Sequence, residues 1–182
     1  MSEPRIIIAI QARLHSTRLH GKILMPFCDM HMLAYQMRRL EQGTPYEVIA
    51  LVPEQDYGRI TAALAMPHAL YASFVPEEDV LGRYADFARA YCLRVDDILV
   101  RITGDCPLLC PLLLEDVLCA WHNYSPPLAY YGMGPGWPDG LGDIDACTVE
   151  ALLDANKRAS EPSDRAHFSP YLWNHPKMYR QG

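Results

Sequence analysis

The chain has 182 residues, with 16 Lys and Arg against 22 Asp and Glu and a formal net charge of -6. Half of its residues are apolar, too many for a disordered chain, and the length suits one domain that needs no disulfide or metal staple. The acidic balance argues against a general nucleic-acid binder.

Residues 5–11 form a β-branched run, as expected of a strand buried on both faces. A loop over 12–29 follows. From His31 the apolar residues Leu33, Met37 and Leu40 recur at helical spacing, and Gly43 is a natural stop. Residues 47–52 read as a second strand, closed by Pro53, then 56–65 as a helix and 69–71 as a short strand. Val80, Tyr84, Phe87, Ala88 and Tyr91 mark one face of a helix, and 97–103 is another buried strand. A helix with Leu113, Val117 and Trp121 inward comes next, with strands expected at 128–131 and 143–147. Thr148 can N-cap a helix through Ala159, and Ser169-Pro170 opens a last short helix. Strands alternating with helices mean an α/β fold with a mainly parallel sheet covered on both faces. Ligands of such sheets sit beyond the carboxyl ends of the strands.

None of the six cysteines forms a C-x-x-C pair, so they read as reduced, buried thiols of a cytosolic protein. The N-terminus carries no signal-peptide pattern. Residues 117–138 lack Lys, Arg, Asp and Glu, but four Pro and three Gly exclude a spanning helix. A cytoplasmic protein that contacts neither membrane nor nucleic acid is expected. His31, His68, His122 and His175 are scattered and suggest no metal site.

The loop after the first strand is basic. Between Glu3 and Asp29 there is no acidic residue, while Arg5, Arg13, Arg18 and Lys22 supply a local charge of +4. Cations, hydroxyls and a glycine at a strand's carboxyl end suit a polyphosphate, with Arg13 able to bind bidentately and Lys22 as a point charge. A solvated basic loop is the plain alternative. The loop is no Walker motif, because Ser16 stands where the first Gly belongs, and no G-x-G-x-x-G follows the strand.

The turn after the strand at 97–103 is acidic. Asp105 stands at a strand end, and Gly104 lets the backbone approach a ligand closely. Mg²⁺ is commonly held by one or two carboxylates plus phosphate oxygens, so the acidic turn opposite the basic loop suggests a metal–triphosphate site. The alternative is that Asp105 only caps its own turn.

These residues carry a family resemblance. IIIAIQARLHSTRLHGKIL at 6–24, EEDVLGRY at 77–84, VRITGDCPLL at 100–109, PDGL at 138–141 and DRAHFSPYL at 164–172 resemble the cytidylyltransferase-like nucleotidyltransferases. The resemblance is to the spore-coat polysaccharide type, related to the enzymes that activate sialic acid and Kdo with CTP. It implies a single domain over 1–182 with the three-layer α/β/α nucleotide-diphosphosugar transferase fold. It further implies transfer of CMP from CTP to a sugar-acid-like or phosphonate-like acceptor, with release of pyrophosphate and Mg²⁺ as cofactor, in a possible homodimer. Gln11, Ala12, Arg13, Ser16, Lys22, Arg83 and Gly104 would bind the nucleotide, with Arg13, Lys22 and Asp105 catalytic. Asp139, Asp164, Arg165 and His167 would lie on the acceptor side.

Asp105 would bind the metal. The family's C-terminal segment that supplies a second carboxylate is not found here; Asp143 or Asp145 would substitute, Asp145 being the candidate metal ligand, with an ordinary strand-end role as the plain alternative. His15 and His20 stand where the family has Gly and Pro, and an imidazole at 15 would crowd the phosphates or add a donor to them. Two further functions fit the same fold. One is a non-catalytic nucleotide- or partner-binding paralogue. The other is a glycosyltransferase, for which Asp143-Ile-Asp145 matches a D-x-D in letters.

Overall fold

The computed structural model describes residues 3–16, 19–65, 69–125, 127–132 and 144–182. In chain order the elements are β1 (Ile6–Gln11), a 3₁₀ turn (Lys22–Leu24), β2 (Pro26–Phe27), β3 (Met30–His31), α1 (Met32–Gly43), β4 (Glu47–Pro53), α2 (Glu54–Leu64) and β5 (Leu70–Ser73). There follow α3 (Val80–Ala90), β6 (Ile98–Thr103), α4 (Pro111–Asn123), β7 (Tyr130–Gly132), β8 (Ile144–Thr148), α5 (Val149–Arg158), α6 (Pro162–Arg165) and α7 (Pro170–Asn174). Strand and helix positions follow the hydrophobic periodicity. The β2–β3 hairpin inside the expected loop and the one-turn α6 do not, because two- to four-residue elements carry too few positions for a period to show.

Six strands form one sheet in the order β5-β4-β1-β6-β8-β7. β5, β4, β1 and β6 are parallel, while β8 runs antiparallel to β6 and β7 antiparallel to β8. The fold is mixed α/β with a mainly parallel sheet flanked by helices. The period-2 alternation of the strands divides the core. Ile8, Ile10, Ala50, Val52, Val100 and Ile102 pack against Leu33 and Met37 of α1, Ile60 of α2 and Leu114 and Trp121 of α4. Ile7, Ala9, Ile49, Leu51 and Leu99 pack on the other face against Tyr84 and Phe87 of α3 and Leu152 of α5. Two helix starts carry a side-chain cap: Asp79 Oδ1 accepts from Gly82 N at 2.9 Å, and Thr148 Oγ1 from Ala151 N at 3.2 Å.

The chain leaves β1 toward β4 on one side and reaches β6 on the other, so the strand order reverses at β1. The parallel register pairs Gln11 with Thr103, the last residues of β1 and β6. The basic loop and the acidic turn therefore emerge side by side at the reversal, where open α/β sheets bind ligands. Gly104 donates its N–H to Gln11 O at 2.9 Å. A Cβ on Gly104 would stand 2.9 Å from that oxygen and 3.4 Å from Ala12 Cβ. A side chain here would therefore press on the neighbouring strand end of its own chain.

Candidate active site

The loop after β1 is held from inside. Leu14 N donates to the buried carboxylate of Asp56 at 2.8 Å, and Gly21 N returns to Leu14 O at 2.8 Å. Gly21 makes that return with φ of +68°, a left-handed conformation that suits glycine. The resulting turn delivers Lys22 toward the acidic turn after β6. Gln11, Arg13, Ser16, Lys22, Thr103, Gly104 and Asp105 line one polar cavity of about 230 Å³, together with Ile23, Arg101 and His167. Residues expected from two distant segments thus meet.

Lys22 Nζ donates to Asp105 Oδ2, an ion pair at the cavity mouth in which the carboxylate side chain is about one-third exposed. Burial would raise the Asp105 carboxyl, yet the Lys22 ammonium and the Thr103 hydroxyl outweigh it and hold the group below its ordinary value. Asp105 is ionised at neutral pH and available to a cation once Lys22 turns to another anion. Arg13 is 44% exposed, with Nη1 at 3.2 Å from Glu77 Oε1. Gln55 Nε2 donates to the other Glu77 oxygen at 2.9 Å. Such exposed pairs are weak, so an entering polyanion can displace Glu77 from Arg13.

Several expected residues lie elsewhere. Arg5, one of the four charges attributed to the basic loop, sits at the opposite end of the sheet. There its Nε donates to Asp97 Oδ2 at 3.1 Å. Arg18 lies outside the described residues. Ala12 is buried, does not line the cavity, and spends its N–H on Leu51 O at 3.1 Å. Arg83 is fully buried and does not line the cavity. Its Nη2 donates to Glu77 O at 2.8 Å, which ties α3 to the Glu77 segment, and burial pulls its guanidinium below the ordinary value. Arg165 is likewise committed, to Asp79 Oδ2 at 2.7 Å and Asn156 Oδ1 at 2.8 Å. Asp164 belongs to α6 and lines neither this cavity nor the next. Asp139 and Asp143 lie outside the described residues.

Asp145, expected as a second metal carboxylate, does not line the cavity that Asp105 lines. It sits opposite Arg101 in the β6–β8 register, where Oδ2 accepts from Arg101 Nη1 at 2.9 Å and Oδ1 from the Tyr130 hydroxyl at 2.7 Å. Among the described residues no three His, Cys, Asp or Glu side chains gather as a metal-binding group. His167 is exposed and lines the first cavity and a second one. His15 does not line the first cavity: its Nδ1 stands 3.4 Å from Glu77 Oε2 and 3.8 Å from Asp56 Oδ1. Its backbone is not among the left-handed residues, so the imidazole forces no unfavourable backbone there. The cysteines are all free, but Cys28, Cys92 and Cys119 are exposed rather than buried.

Sequence reasoning missed Arg101, Glu77 and Asp56 as residues of this region. Asp56 reads as an ordinary first-turn acid of a helix. Arg101 alone interrupts the apolar run of β6, a signal visible in the sequence: a cation on a doubly covered strand needs a partner.

The sequence that builds this site matches a known family. The chain belongs to the cytidylyltransferase family, whose model spans residues 7–137, and so to the CTP-dependent nucleotidyltransferases. Among curated relatives, the spore coat polysaccharide biosynthesis protein SpsF of Bacillus subtilis is 27% identical, over 96% of this chain and 72% of its own. A 3-deoxy-manno-octulosonate cytidylyltransferase of Tolumonas auensis is 28% identical, over 93% and 68%. A cytidylyltransferase structure from Leptospira borgpetersenii superposes with a TM-score of 0.86 at 28% identity, covering 98% of this chain and 75% of that one. The structure of CMP:2-keto-3-deoxy-manno-octonic acid synthetase complexed with CTP superposes at 0.72 with 18% identity, covering 98% and 89%, and supports the fold alone. No helix among the described residues is long and apolar enough to cross a membrane.

Proposed function

We propose that this chain transfers CMP from CTP to a small acceptor of sugar-acid-like or phosphonate-like class, releasing pyrophosphate. The observation that carries this reading is the convergence of Arg13, Lys22 and Asp105 on one polar cavity beyond the carboxyl ends of β1 and β6. Arg13 and Lys22 neutralise the triphosphate, each exchanging a resting carboxylate partner for a phosphate. Asp105 fits Mg²⁺, which accepts a single protein carboxylate when phosphate oxygens complete its shell; when bound, the ion neutralises charge on the triphosphate. Gln11 and Ser16 supply polar contacts at the same wall. No covalent intermediate is required, since positioning and charge stabilisation carry such transfers.

The relatives named above support CTP as donor. Both oxygens of Asp145 are engaged, by Arg101 and Tyr130, and this disfavours its use as the metal ligand a glycosyltransferase would need. The test is pyrophosphate release from each of the four NTPs with Mg²⁺. The acceptors are 3-deoxy-manno-octulosonate, N-acetylneuraminate and 2-aminoethylphosphonate, with binding followed by calorimetry. Release from CTP in preference to the others is expected. CTP binding without release under any condition would favour the nucleotide-binding paralogue, and no binding of any NTP would remove both readings.

A further inference from the structure

A second cavity of about 450 Å³ adjoins the first, lined by Arg101, Ile144, Asp145, His167, Ser169 and Trp173 together with Pro170. The two cavities have two residues in common, Arg101 and His167. Arg101 is on β6, two residues before the strand's carboxyl end, and its side chain is 15% exposed. Asp145 fixes it through Nη1, and the Tyr130 hydroxyl fixes Asp145 in turn. The Arg101 Nε is buried without a partner. A guanidinium held in this way is oriented but not fully satisfied, an arrangement that costs stability unless another group uses it.

We propose that the second cavity seats the acceptor and that Arg101, on the wall between the cavities, is the catalytic cation at the transferring phosphorus. The assignment rests on the cytidylyl transfer proposed above. Phosphoryl transfer needs the attacking oxygen within about 3–3.5 Å of phosphorus. With the triphosphate in the first cavity, the acceptor must enter from a space opening onto it, and of the two side chains common to both spaces, Arg101 and His167, Arg101 carries the fixed, strand-borne cation that faces the reacting atoms. The acceptor oxygen donates a lone pair to the α-phosphorus. The bond from that phosphorus to the oxygen bridging it to the β-phosphorus breaks, and its electron pair leaves on pyrophosphate. A hydroxyl acceptor releases its proton to solvent through the open cavity. Negative charge shifts among the oxygens around the phosphorus during the exchange, where a preoriented guanidinium in a partly dry wall acts most strongly. The exposed Trp173 indole, the Ser169 hydroxyl and His167 form a small amphipathic wall suited to a ring-sized acceptor carrying polar groups.

The test compares wild type with Arg101→Gln, Arg101→Lys and the double variant Arg101→Gln/Asp145→Asn, which replaces the ion pair by an amide pair and leaves no buried charge unpaired. Pyrophosphate release from Mg²⁺·CTP is followed with the best of the three acceptors named above, or with water as acceptor if none is taken. Circular dichroism confirms folding. Arg101→Gln is expected to lower kcat by about 10²-fold or more while the KM for CTP moves by less than about threefold. The folded double variant stays slow, and Arg101→Lys recovers part of the rate. A purely structural pair predicts instead that the double variant regains the wild-type kcat, and that result would overturn the assignment even if the single variants fail to fold. No release by wild type with any acceptor or water removes the proposed transfer itself, and this assignment with it.

Discussion

The two ends of the sheet carry the same pairing of a cation with a carboxylate and use it differently. At the amino end Asp97 is 1% exposed and accepts from the backbone N–H groups of Arg5 at 2.8 Å and Arg94 at 2.9 Å, as well as from both their side chains. Every lone pair there is used, and the cluster joins the start of β1 to the start of β6. At the carboxyl end Asp105 faces Lys22 at an open cavity, and both side chains remain partly exposed. Saturated and buried, a carboxylate holds the chain together. About one-third exposed and ion-paired to a single cation, it stays free to change partners. The environment separates the two roles, since the carboxylate is an aspartate in both.

The largest expected effects fall on turnover at the carboxyl end. Asp105→Asn should lower CTP-dependent pyrophosphate release by about 10²–10³-fold, and Lys22→Ala by about 10²-fold. Urea melts should show both within about 1 kcal/mol of wild type, because a partly exposed pair contributes little to folding. Asp97→Asn should reverse the pattern. A loss of about 2–4 kcal/mol in stability is expected, since it breaks a buried charge cluster, with kcat of the folded fraction within about twofold of wild type. Equal stability losses at Asp105 and Asp97 would erase the distinction between the ends.

Gly104→Ala lies between the two cases. Its Cβ would meet Gln11 O at 2.9 Å, so the strand ends must separate at a cost of about 1–3 kcal/mol. CTP affinity should fall with stability, because the same contact sets the spacing of Lys22 and Asp105. Calorimetry on the folded variant checks this.

Acid unfolding sharpens the comparison further. The Asp97 carboxyl is held below its ordinary value of 3.8: burial opposes ionisation, but the Arg5 and Arg94 N–H groups and the Arg5 guanidinium outweigh it. A depressed carboxyl stabilises the fold fully above its unfolded value, and that contribution is lost as pH falls through the folded one. Thermal melts from pH 6 downward should therefore show wild type losing stability below about pH 4. Asp97→Asn should lose less over the same range, and an unchanged slope in that variant would contradict the role given to Asp97. His15→Gly carries the smallest effect: its imidazole points to Glu77 and Asp56 outside the cavity, so CTP affinity should change by no more than about twofold.

Much of the fold was legible because it rests on local pattern. The strand at 98–103, the face of α3 and the Thr148 cap follow from hydrophobic period and capping chemistry within a few residues. Part of the site was legible for the same reason: a basic loop and an acidic turn each sit at a strand's carboxyl end, and parallel sheets place such ends together. The ion-pair partners were not. Lys22 and Asp105 are 83 positions apart, and Arg5 and Asp97 are 92, so nothing local distinguishes Lys22, which joins the cavity, from Arg5, which does not.

The sequence by itself determined the alternation of strands and helices, the two functional segments and the family they resemble. The tertiary structure alone decided that Arg5 leaves the cradle, that Arg83 is buried away from the cavity and Arg165 is committed inside the fold, and that Arg101, held by Asp145, stands between two cavities. Local propensity acts over a few residues. The fate of a charge is set by whatever the sheet register brings within hydrogen-bond reach, and here the pairing of Gln11 with Thr103 and of Arg101 with Asp145 made that choice.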